Sequence, residues 1–248
     1  MRLAVIADVH ANRPALEAVL EAVERLAPDR VLCLGDLVGY NAEPSECIAR
    51  VRAAADAVVA GNHDVDVLTQ QPLEGTAAEA RLVQAWTRAR LSTEDAAYLG
   101  GLPNKLTDPA YVAVHGCYLN PSHVNGYVTS TMLQKNLEVV AADPDYPVVA
   151  LCGHTHTPMC GWLLLDECVE PRRQDHAVWP AKARAVLLNP GSVGQPRDGD
   201  PRASFALVDL EARSFEVTRV PYDIEAAVDA IRRAELPPGL GERLREGR

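Results

Sequence analysis

The chain has 248 residues, of which 24 are basic and 34 acidic, so its formal net charge is −10. This length is enough to bury a hydrophobic core, as one large domain or two small ones. Apolar residues make up 48% and charged residues 23% of the sequence, a composition that excludes a disordered, collagen-like or disulfide-stapled chain. The acidic balance argues against a surface that neutralises nucleic-acid phosphates or coats anionic membranes.

The first 60 residues alternate short apolar runs with amphipathic stretches. The runs at 3–7, 31–34 and 57–60 predict strands. Helices are expected between them, one capped by Asn12 and one beginning at Pro44. Strands of continuous apolar character that alternate with helices indicate an α/β fold whose sheet is covered on both faces.

The rest of the chain adds further elements to this pattern. Segment 65–104 departs from the rhythm and predicts a helical cap insertion, with helices over 76–90 and from Ser92 to Gly100, within a single domain that spans residues 1–248. Residues 166–184, rich in proline, arginine and charge, predict an exposed hairpin or loop, and a charged tail is expected after Pro238. Further strands are predicted at 111–114, 148–152, 185–188, 204–208 and 215–220, and further helices at 131–142 and 223–234.

The N-terminal apolar run and the cysteines both favour a cytoplasmic location. The run reaches Asp8 after too few residues for a secretory signal or a membrane span. The six cysteines show no CxxC pair and no zinc-finger spacing. Cys33 and Cys152 lie inside apolar runs, where a thiol acts as a small hydrophobic side chain. We therefore expect reduced, structural cysteines.

Five of the apolar runs end at residues that can bind a metal ion. They are Asp8 and His10 after the first run, Asp36 after the second, Asn62 after the third, His115 after the run at 111–114, and His154 and His156 after the run at 148–152. Residues i and i+2 of an extended chain point the same way, so each closely spaced pair can converge on one point. Parallel strands end at one edge of a sheet, where we expect all seven side chains to meet. His123 and His176 have no such context and are expected at the surface.

This set of donors indicates a particular chemistry. Imidazoles mixed with oxygen donors, without a placed thiolate, suit Mn, Fe, Co, Ni or Zn, with Mn favoured, and argue against a structural zinc site. Seven ligands are too many for one tetrahedral site but suit two divalent metal ions bridged by one carboxylate, for which Asp36 is the natural choice. Two metals roughly 3.5–4 Å apart generate hydroxide at neutral pH and clamp both oxygens of an in-line displacement. The residues therefore predict hydrolysis of a phosphoester bond.

Five motifs in the first 156 residues match a known family in order and spacing. Asp8-x-His10, Gly35-Asp36-x-x-Gly39, Gly61-Asn62-His63-Asp64, Val114-His115-Gly116 and Gly153-His154-x-His156 together resemble the calcineurin-like metallophosphoesterases. The resemblance is greatest to compact prokaryotic phosphodiesterases related to diadenosine tetraphosphatases, and residues 189–197 also look like that subgroup. It implies a four-layer α/β/β/α sandwich with two mixed β-sheets. It also implies hydrolysis of a phosphodiester or nucleotide phosphoester by attack of a metal-bridging hydroxide.

The resemblance also implies a role for each site residue. Asp8, His10 and His156 would hold the first metal, Asn62, His115 and His154 the second, and Asp36 would bridge them. His63 would be the catalytic residue that faces the scissile phosphate as general acid or charge stabiliser, a role that suits an unperturbed pKa near 6.5. Asp64 would either orient His63 or be a solvated acid. Arg197 is a candidate for binding the substrate phosphate, and a surface arginine in a turn is the alternative.

Three alternative functions can be compared with these motifs. An HD-domain phosphohydrolase carries its ligands on helices, whereas the pair His63-Asp64 follows a strand-like run and a glycine. Protein phosphatases of the same superfamily carry Gly-Asp-x-x-Asp-Arg-Gly, and the stretch 35–41 lacks that arginine, so a phosphoprotein or phosphomonoester phosphatase is second choice. A non-catalytic scaffold of the same fold would be favoured by loss of His63, which is present. The expected partner is a small phosphoester substrate, without stable nucleic-acid or membrane binding.

Overall fold

The computed structural model describes residues 1–69, 78–165, 167–171 and 173–248. The strands are β1 (Arg2–Ile6), β2 (Arg30–Cys33), β3 (Ala57–Val58), β4 (Lys105–Thr107), β5 (Tyr111–Val114), β6 (Val149–Leu151), β7 (Pro158–Leu163), β8 (Cys168–Val169), β9 (His176–Val178), β10 (Ala185–Pro190), β11 (Ala203–Asp209) and β12 (Ser214–Val220). The helices are α1 (Arg13–Leu26), α2 (Pro44–Ala54), α3 (Asn62–Asp66), α4 (Ala78–Arg88), α5 (Thr93–Gly100), α6 (Ser130–Ala142), α7 (Ile224–Arg233) and α8 (Pro238–Glu246).

The described strands form two six-stranded mixed sheets. The first has the order β3-β2-β1-β11-β12-β9, and its β1, β2 and β3 are parallel. The second has the order β4-β5-β6-β10-β7-β8, and its β5, β6 and β10 are parallel. The fold class expected from the sequence is confirmed.

Alternation of side chains along β1 shows how the layers are built. Leu3 and Val5 point into a core shared by the two sheets, whereas Ala4 and Ile6 belong to the core beneath α1 and α2. In the second sheet β5 alternates in the same way, with one face toward the first sheet and the other toward α6. Asn12 caps α1 as expected, because its Oδ1 accepts a hydrogen bond of 3.2 Å from the Ala15 N–H.

Two expectations about the second half of the chain are wrong. Segment 166–184 is not one exposed hairpin, because β8 pairs with β7 in the second sheet whereas β9 pairs with β12 in the first. Ala177 and Trp179 are buried in the core between the sheets, which sets the path of this segment; residues 166 and 172 lie outside the described residues. The charged tail contains α8, whose Leu240 and Leu244 are buried in a cluster with α7 residues. An i, i+4 pair of leucines after Pro238 was the signal for this helix.

The predicted cap at 65–104 is described only in part. Ser92 begins α5 as expected, since its hydroxyl accepts a hydrogen bond of 3.0 Å from the Asp95 N–H. The predicted helix over 76–90 corresponds to α4 within the described residues, and its first two positions, like the rest of 70–77, lie outside them. The assignment of one domain with a cap stays a prediction. No helix in the described part of the chain is long and apolar enough to cross a membrane.

Candidate metal centre

Six of the predicted metal ligands lie on loops that leave two different sheets, and the seventh, Asn62, begins α3. Asp8 and His10 follow β1, and Asp36 follows β2, all in the first sheet, whereas His115 follows β5 in the second. The prediction that all donors meet at the edge of one sheet is therefore wrong. They meet where the carboxyl ends of parallel strands from both sheets lie side by side, so the centre depends on how the two sheets pack.

The backbone of these loops is unusual. Asp8, His10, Asp36, His154 and His156 have φ angles between 48° and 67°, the left-handed region that side chains with a Cβ seldom adopt. Hydrogen bonds hold the first of these loops, because the Asp8 N–H donates to the Gly35 carbonyl at 3.0 Å and the His10 N–H to the Asp36 carbonyl at 2.8 Å. Such local strain concentrates at functional sites.

One group of donors comprises four buried residues whose ligand atoms all lie within 4.8 Å of one another: Asp8, His10, Asp36 and His156. The Nδ1 of His10 lies 3.0 Å from the Val38 carbonyl, and that of His156 lies 2.5 Å from the Gln195 carbonyl. A carbonyl only accepts hydrogen bonds, so both Nδ1 atoms carry the proton and both Nε2 atoms of the neutral rings present lone pairs. These two Nε2 atoms lie 3.0 Å apart.

Two facing lone pairs repel unless a cation lies between them. Protonation of one ring would remove the repulsion, but burial lowers the pKa of both His10 and His156 well below the ordinary value. The nearest groups are carboxylates, with Asp36 Oδ2 3.6 Å from the Nε2 of His10 and Asp8 Oδ1 3.5 Å from that of His156. This donor set therefore fits a divalent metal ion.

A second group shares Asp36 with the first and adds His115 and His154. The Nδ1 of His115 lies 2.6 Å from the Leu34 carbonyl. Its Nε2 lies 3.2 Å from Asp36 Oδ2 and 3.1 Å from the Nδ1 of His154. The Leu34 carbonyl fixes the ring of His115 so that its Nε2 points at the other two donors.

Asn62 is the seventh predicted ligand, and its amide oxygen is buried with no hydrogen-bond partner among the described residues. Burial raises the pKa of Asp66, and a hydrogen bond from the Asn62 amide opposes that rise. The amide nitrogen is therefore occupied and the oxygen is left over. The next residue, His63, donates its N–H to Asp36 Oδ1 at 2.8 Å, which places Asn62 beside the shared carboxylate. An orphaned buried oxygen here fits a metal ligand.

The electrostatics follow from burial of two carboxylates with several imidazoles. Burial alone would raise the pKa of Asp36, but His115 and His63 hold it well below its usual range. Burial likewise opposes the charge on His115, yet the Asp36 and Asp8 carboxylates raise its pKa to about 9. Burial raises the pKa of Asp8 to about 7, and burial together with His115 lowers that of His154 to about 3. The site attracts positive charge, which a divalent cation supplies in place of the proton.

His63 lies against the first group. It is buried, and its ring centroid is 4.9 Å from that of His10 and 4.6 Å from that of Tyr40. Its Nδ1 is buried without a partner in the described part of the chain. Burial lowers the pKa of His63 below 6.5, so the unperturbed value assumed from the sequence does not apply.

Asp64 has a role that the sequence did not reveal. It is fully buried, so the prediction of a solvated acid is wrong. Its Oδ1 accepts the Leu37 N–H at 2.8 Å and its Oδ2 accepts the Gly61 N–H at 2.9 Å. Asp64 thus ties the loop after β2 to the start of α3, and it positions Asp36 and His63 through the backbone. The Gly-Asn-His-Asp motif was the signal for this position.

Arg197 lies close to the same centre. Its N–H donates to the His156 carbonyl at 3.2 Å, and its guanidinium lies over the Tyr40 ring, 5.6 Å from the centroid. Of the two remaining histidines, His176 is exposed and His123 is half-buried, and neither belongs to the donor groups.

An α/β sandwich with this buried Asp/His centre defines a metal-dependent phosphoester hydrolase, and comparisons with known proteins support that class. The family model of the calcineurin-like phosphoesterase superfamily domain matches residues 1–213. An uncharacterised protein of Methanocaldococcus jannaschii is 34% identical over 250 residues, covering 99% of this chain and 98% of its own. The chain belongs to the calcineurin-like phosphoesterase superfamily.

Solved structures agree with this assignment. The crystal structure of a metallophosphoesterase from Sphaerobacter thermophilus is 36% identical, with a TM-score of 0.84 over 100% of this chain and 99% of that one. A hypothetical protein from Pyrococcus horikoshii OT3 is 23% identical, with a TM-score of 0.81 over 100% of this chain and 98% of that one, and shows the same fold.

Gly39 provides a test of how His63 is positioned. Its φ is +97°, and an added Cβ would overlap the Nδ1 of His63. We expect Gly39→Ala to displace the ring and to lower kcat for phosphoester hydrolysis by about 10- to 100-fold, since a misplacement of about 1 Å has effects of that size. Metal content, measured by elemental analysis, should persist.

Gly199→Ala is the matched control. Its φ is +83°, and an added Cβ meets nothing within 4 Å. Both variants should lose a similar stability of about 1–2 kcal/mol in chemical denaturation, because both place a Cβ in the left-handed region. If the two variants have the same kcat, contact with Gly39 does not position His63.

Proposed function

We propose that the chain is a dinuclear metal-dependent phosphoesterase that hydrolyses a phosphodiester or nucleotide phosphoester bond in a small substrate. The observation that carries this proposal is the pair of Nε2 lone pairs of His10 and His156, 3.0 Å apart beside the carboxylate of Asp36, which also belongs to the second donor group. Membership of the calcineurin-like superfamily supports the phosphoester as the bond that is cleaved.

The proposal assigns the donors to two ions that share Asp36. Asp8, His10 and His156 would hold one divalent cation, and Asn62, His115 and His154 the other, with Mn favoured among the metals that suit these donors. When bound, the two cations acidify water to supply the nucleophile and neutralise charge on the phosphoryl oxygens. The main-chain carbonyls that accept from the imidazole Nδ1 atoms leave each Nε2 available as a ligand, so His10, His115 and His156 would each hold an ion through Nε2.

We assign proton transfer or charge stabilisation at the phosphoryl group to His63. Its Nδ1 is enclosed beside Gly39, so its Nε2 is the nitrogen that faces the substrate. Burial keeps the ring neutral at pH 7 in the protein alone. An anionic phosphoester that enters the site raises the pKa of His63 and favours the imidazolium, which then stabilises the developing charge or protonates the leaving oxygen.

Titration with Mn²⁺ tests whether both ions share the Asp36 carboxylate. We expect the wild-type protein to retain two equivalents of Mn²⁺ in calorimetric titration. Asp36→Asn should weaken both binding steps, whereas His156→Ala should weaken one of them, each by at least about 10- to 100-fold. His176→Ala, at an exposed histidine outside the site, is the control. Wild-type affinity and stoichiometry in Asp36→Asn would contradict a shared ligand.

Turnover tests the reaction. Protein loaded separately with Mn, Fe, Co, Ni or Zn should hydrolyse bis(p-nitrophenyl) phosphate, fastest with Mn, and chelation should abolish the activity until metal is restored. A phosphomonoester and a dinucleoside polyphosphate complete the panel. Faster turnover of the monoester would favour the phosphomonoesterase alternative. No turnover of any substrate by the loaded protein would contradict an enzyme and leave a non-catalytic scaffold as the remaining function.

The role of His63 has its own test. His63→Ala should leave metal content unchanged and lower kcat by about 10²–10⁴-fold, the range for loss of a general acid. His63→Gln, which keeps a hydrogen-bond donor without a titrating group, should recover part of the activity if charge stabilisation dominates. Unchanged kcat in His63→Ala would rule out the assigned role.

A further inference from the structure

The Tyr40 ring contacts both the histidines of the metal centre and two guanidinium groups. Its centroid lies 4.7 Å from the ring of His10 and 4.6 Å from that of His63. The Cζ atoms of Arg197 and Arg243 lie 5.6 Å and 5.5 Å from the same centroid. Both cations therefore share the Tyr40 ring with His63, the residue assigned to the scissile phosphate.

The two arginines come from distant parts of the sequence, and the fold brings both to the Tyr40 ring. Arg197 lies in the loop after β10, and Arg243 lies on α8, whose buried leucines form a cluster that Tyr40 also contacts. The Gly199 N–H donates to the Gly247 carbonyl at 2.9 Å, which joins the loop of the first arginine to the end of the helix that carries the second. Their common contact with Tyr40 is a property of the packed structure.

Neither guanidinium is paired with an Asp or Glu carboxylate in the described part of the chain. Arg197 donates to the amide oxygen of Gln195 at 3.0 Å, and its Nε is buried without an acceptor among the described residues. Arg243 directs its Nε at the main-chain oxygen of Arg248, 3.1 Å away. By contrast Arg245, on the same helix, forms an ion pair of 2.6 Å with Glu225.

Two cations on one aromatic ring, with no Asp or Glu partner among the described residues, are unfavourable in a half-buried position. Burial and the charge of Arg197 lower the pKa of Arg243, and Glu79 opposes this only in part. A bound anion would offset both the burial of the guanidinium charges and the repulsion between them. Guanidinium groups bind phosphate oxygens through paired N–H donors, which makes a phosphate the anion that best fits this pair.

We propose that Arg197 and Arg243 form an anion subsite that binds a second phosphate group of the substrate, next to the one that is cleaved. The substrate class is then a phosphoester that carries at least one further phosphate, such as a nucleoside or dinucleoside polyphosphate. This inference rests on the proposed phosphoesterase function. The family model ends at residue 213, so Arg243 lies on a helix outside the matched region.

The test compares two substrates in the metal-loaded full chain. Diadenosine tetraphosphate carries further phosphates, and bis(p-nitrophenyl) phosphate carries none. Arg243→Met removes the charge and keeps an apolar stem over Tyr40. We expect it to lower the kcat/KM for diadenosine tetraphosphate, relative to that for bis(p-nitrophenyl) phosphate, by about 10- to 100-fold. Arg243→Lys should lose less, and Arg245→Met, next to the subsite but paired elsewhere, should keep the wild-type ratio.

A binding measurement gives a second readout. Inorganic pyrophosphate should compete with the aryl diester, and its inhibition constant should rise about tenfold or more in Arg243→Met. Orthophosphate should be affected much less. Chelation of metal by pyrophosphate is the same for every variant, so the difference between variants reports the arginine. Thermal unfolding of each variant establishes that α8 remains folded.

The outcomes separate this inference from the function on which it rests. A folded Arg243→Met variant with the wild-type ratio and the wild-type inhibition constant overturns the subsite, even when diester turnover supports the phosphoesterase. If no phosphoester is turned over, the proposed function fails. Calorimetry of pyrophosphate with wild-type protein and Arg243→Met then decides the subsite alone, since equal affinities overturn it.

Discussion

The buried carboxylate of Asp36 is the constraint on which the rest of the site depends. One oxygen accepts the His63 N–H at 2.8 Å, and the other lies 3.2 Å from the Nε2 of His115 and 3.6 Å from that of His10. An isolated charge at this depth would be strongly unfavourable, so its neighbours must supply compensating positive charge and donors. Residues from both sheets do so, which links the packing of the sandwich to the integrity of the site.

The strained loops around Asp36 are the cost of this arrangement. Five ligand positions adopt left-handed backbone, at about 1–3 kcal/mol each. Side chains from other loops stabilise them: the Ser192 hydroxyl donates to the Asp8 carbonyl at 2.9 Å, and the Asn41 amide donates to the His10 carbonyl at 2.8 Å. These donors satisfy carbonyls that a continuing strand would have paired. Buried polar residues near the site are thus explained by the backbone they support.

The strands and metal donors that the sequence predicted correctly are those that local patterns determine. Continuous apolar runs identified β1, β2 and β5, and the polar residues that follow them identified the donors, since both signals lie within a few residues. Prediction from the sequence failed where long-range contacts decide which sheet a strand joins. The alternation in a strand does not say which sheet it joins, so the donors were expected at one edge rather than between two sheets. For the same reason the sequence predicts one exposed segment where the structure has β8 in one sheet and β9 in the other.

Residues that reach the site from far away left no local signal at all. Arg243 reads as one charge in a charged tail, and Tyr40 as an aromatic residue in a loop. Their role follows only from the packing of α8 against α7 and from the contacts of Tyr40 with both arginines. Asp64 was visible in its motif, but its burial and its bonds to two loops were not.

The net charge of the chain affects which anionic substrates can approach the site. The net charge of −10 repels long polyanions, and at physiological ionic strength this repulsion is screened beyond about 8 Å. A small phosphoester can approach within that distance and meet the half-buried guanidiniums of Arg197 and Arg243, where screening is weak. A nucleic acid would have to bring many phosphates against the acidic exterior to place one in the centre. The net charge and the proposed subsite of Arg197 and Arg243 therefore both support the proposal of a small phosphoester substrate.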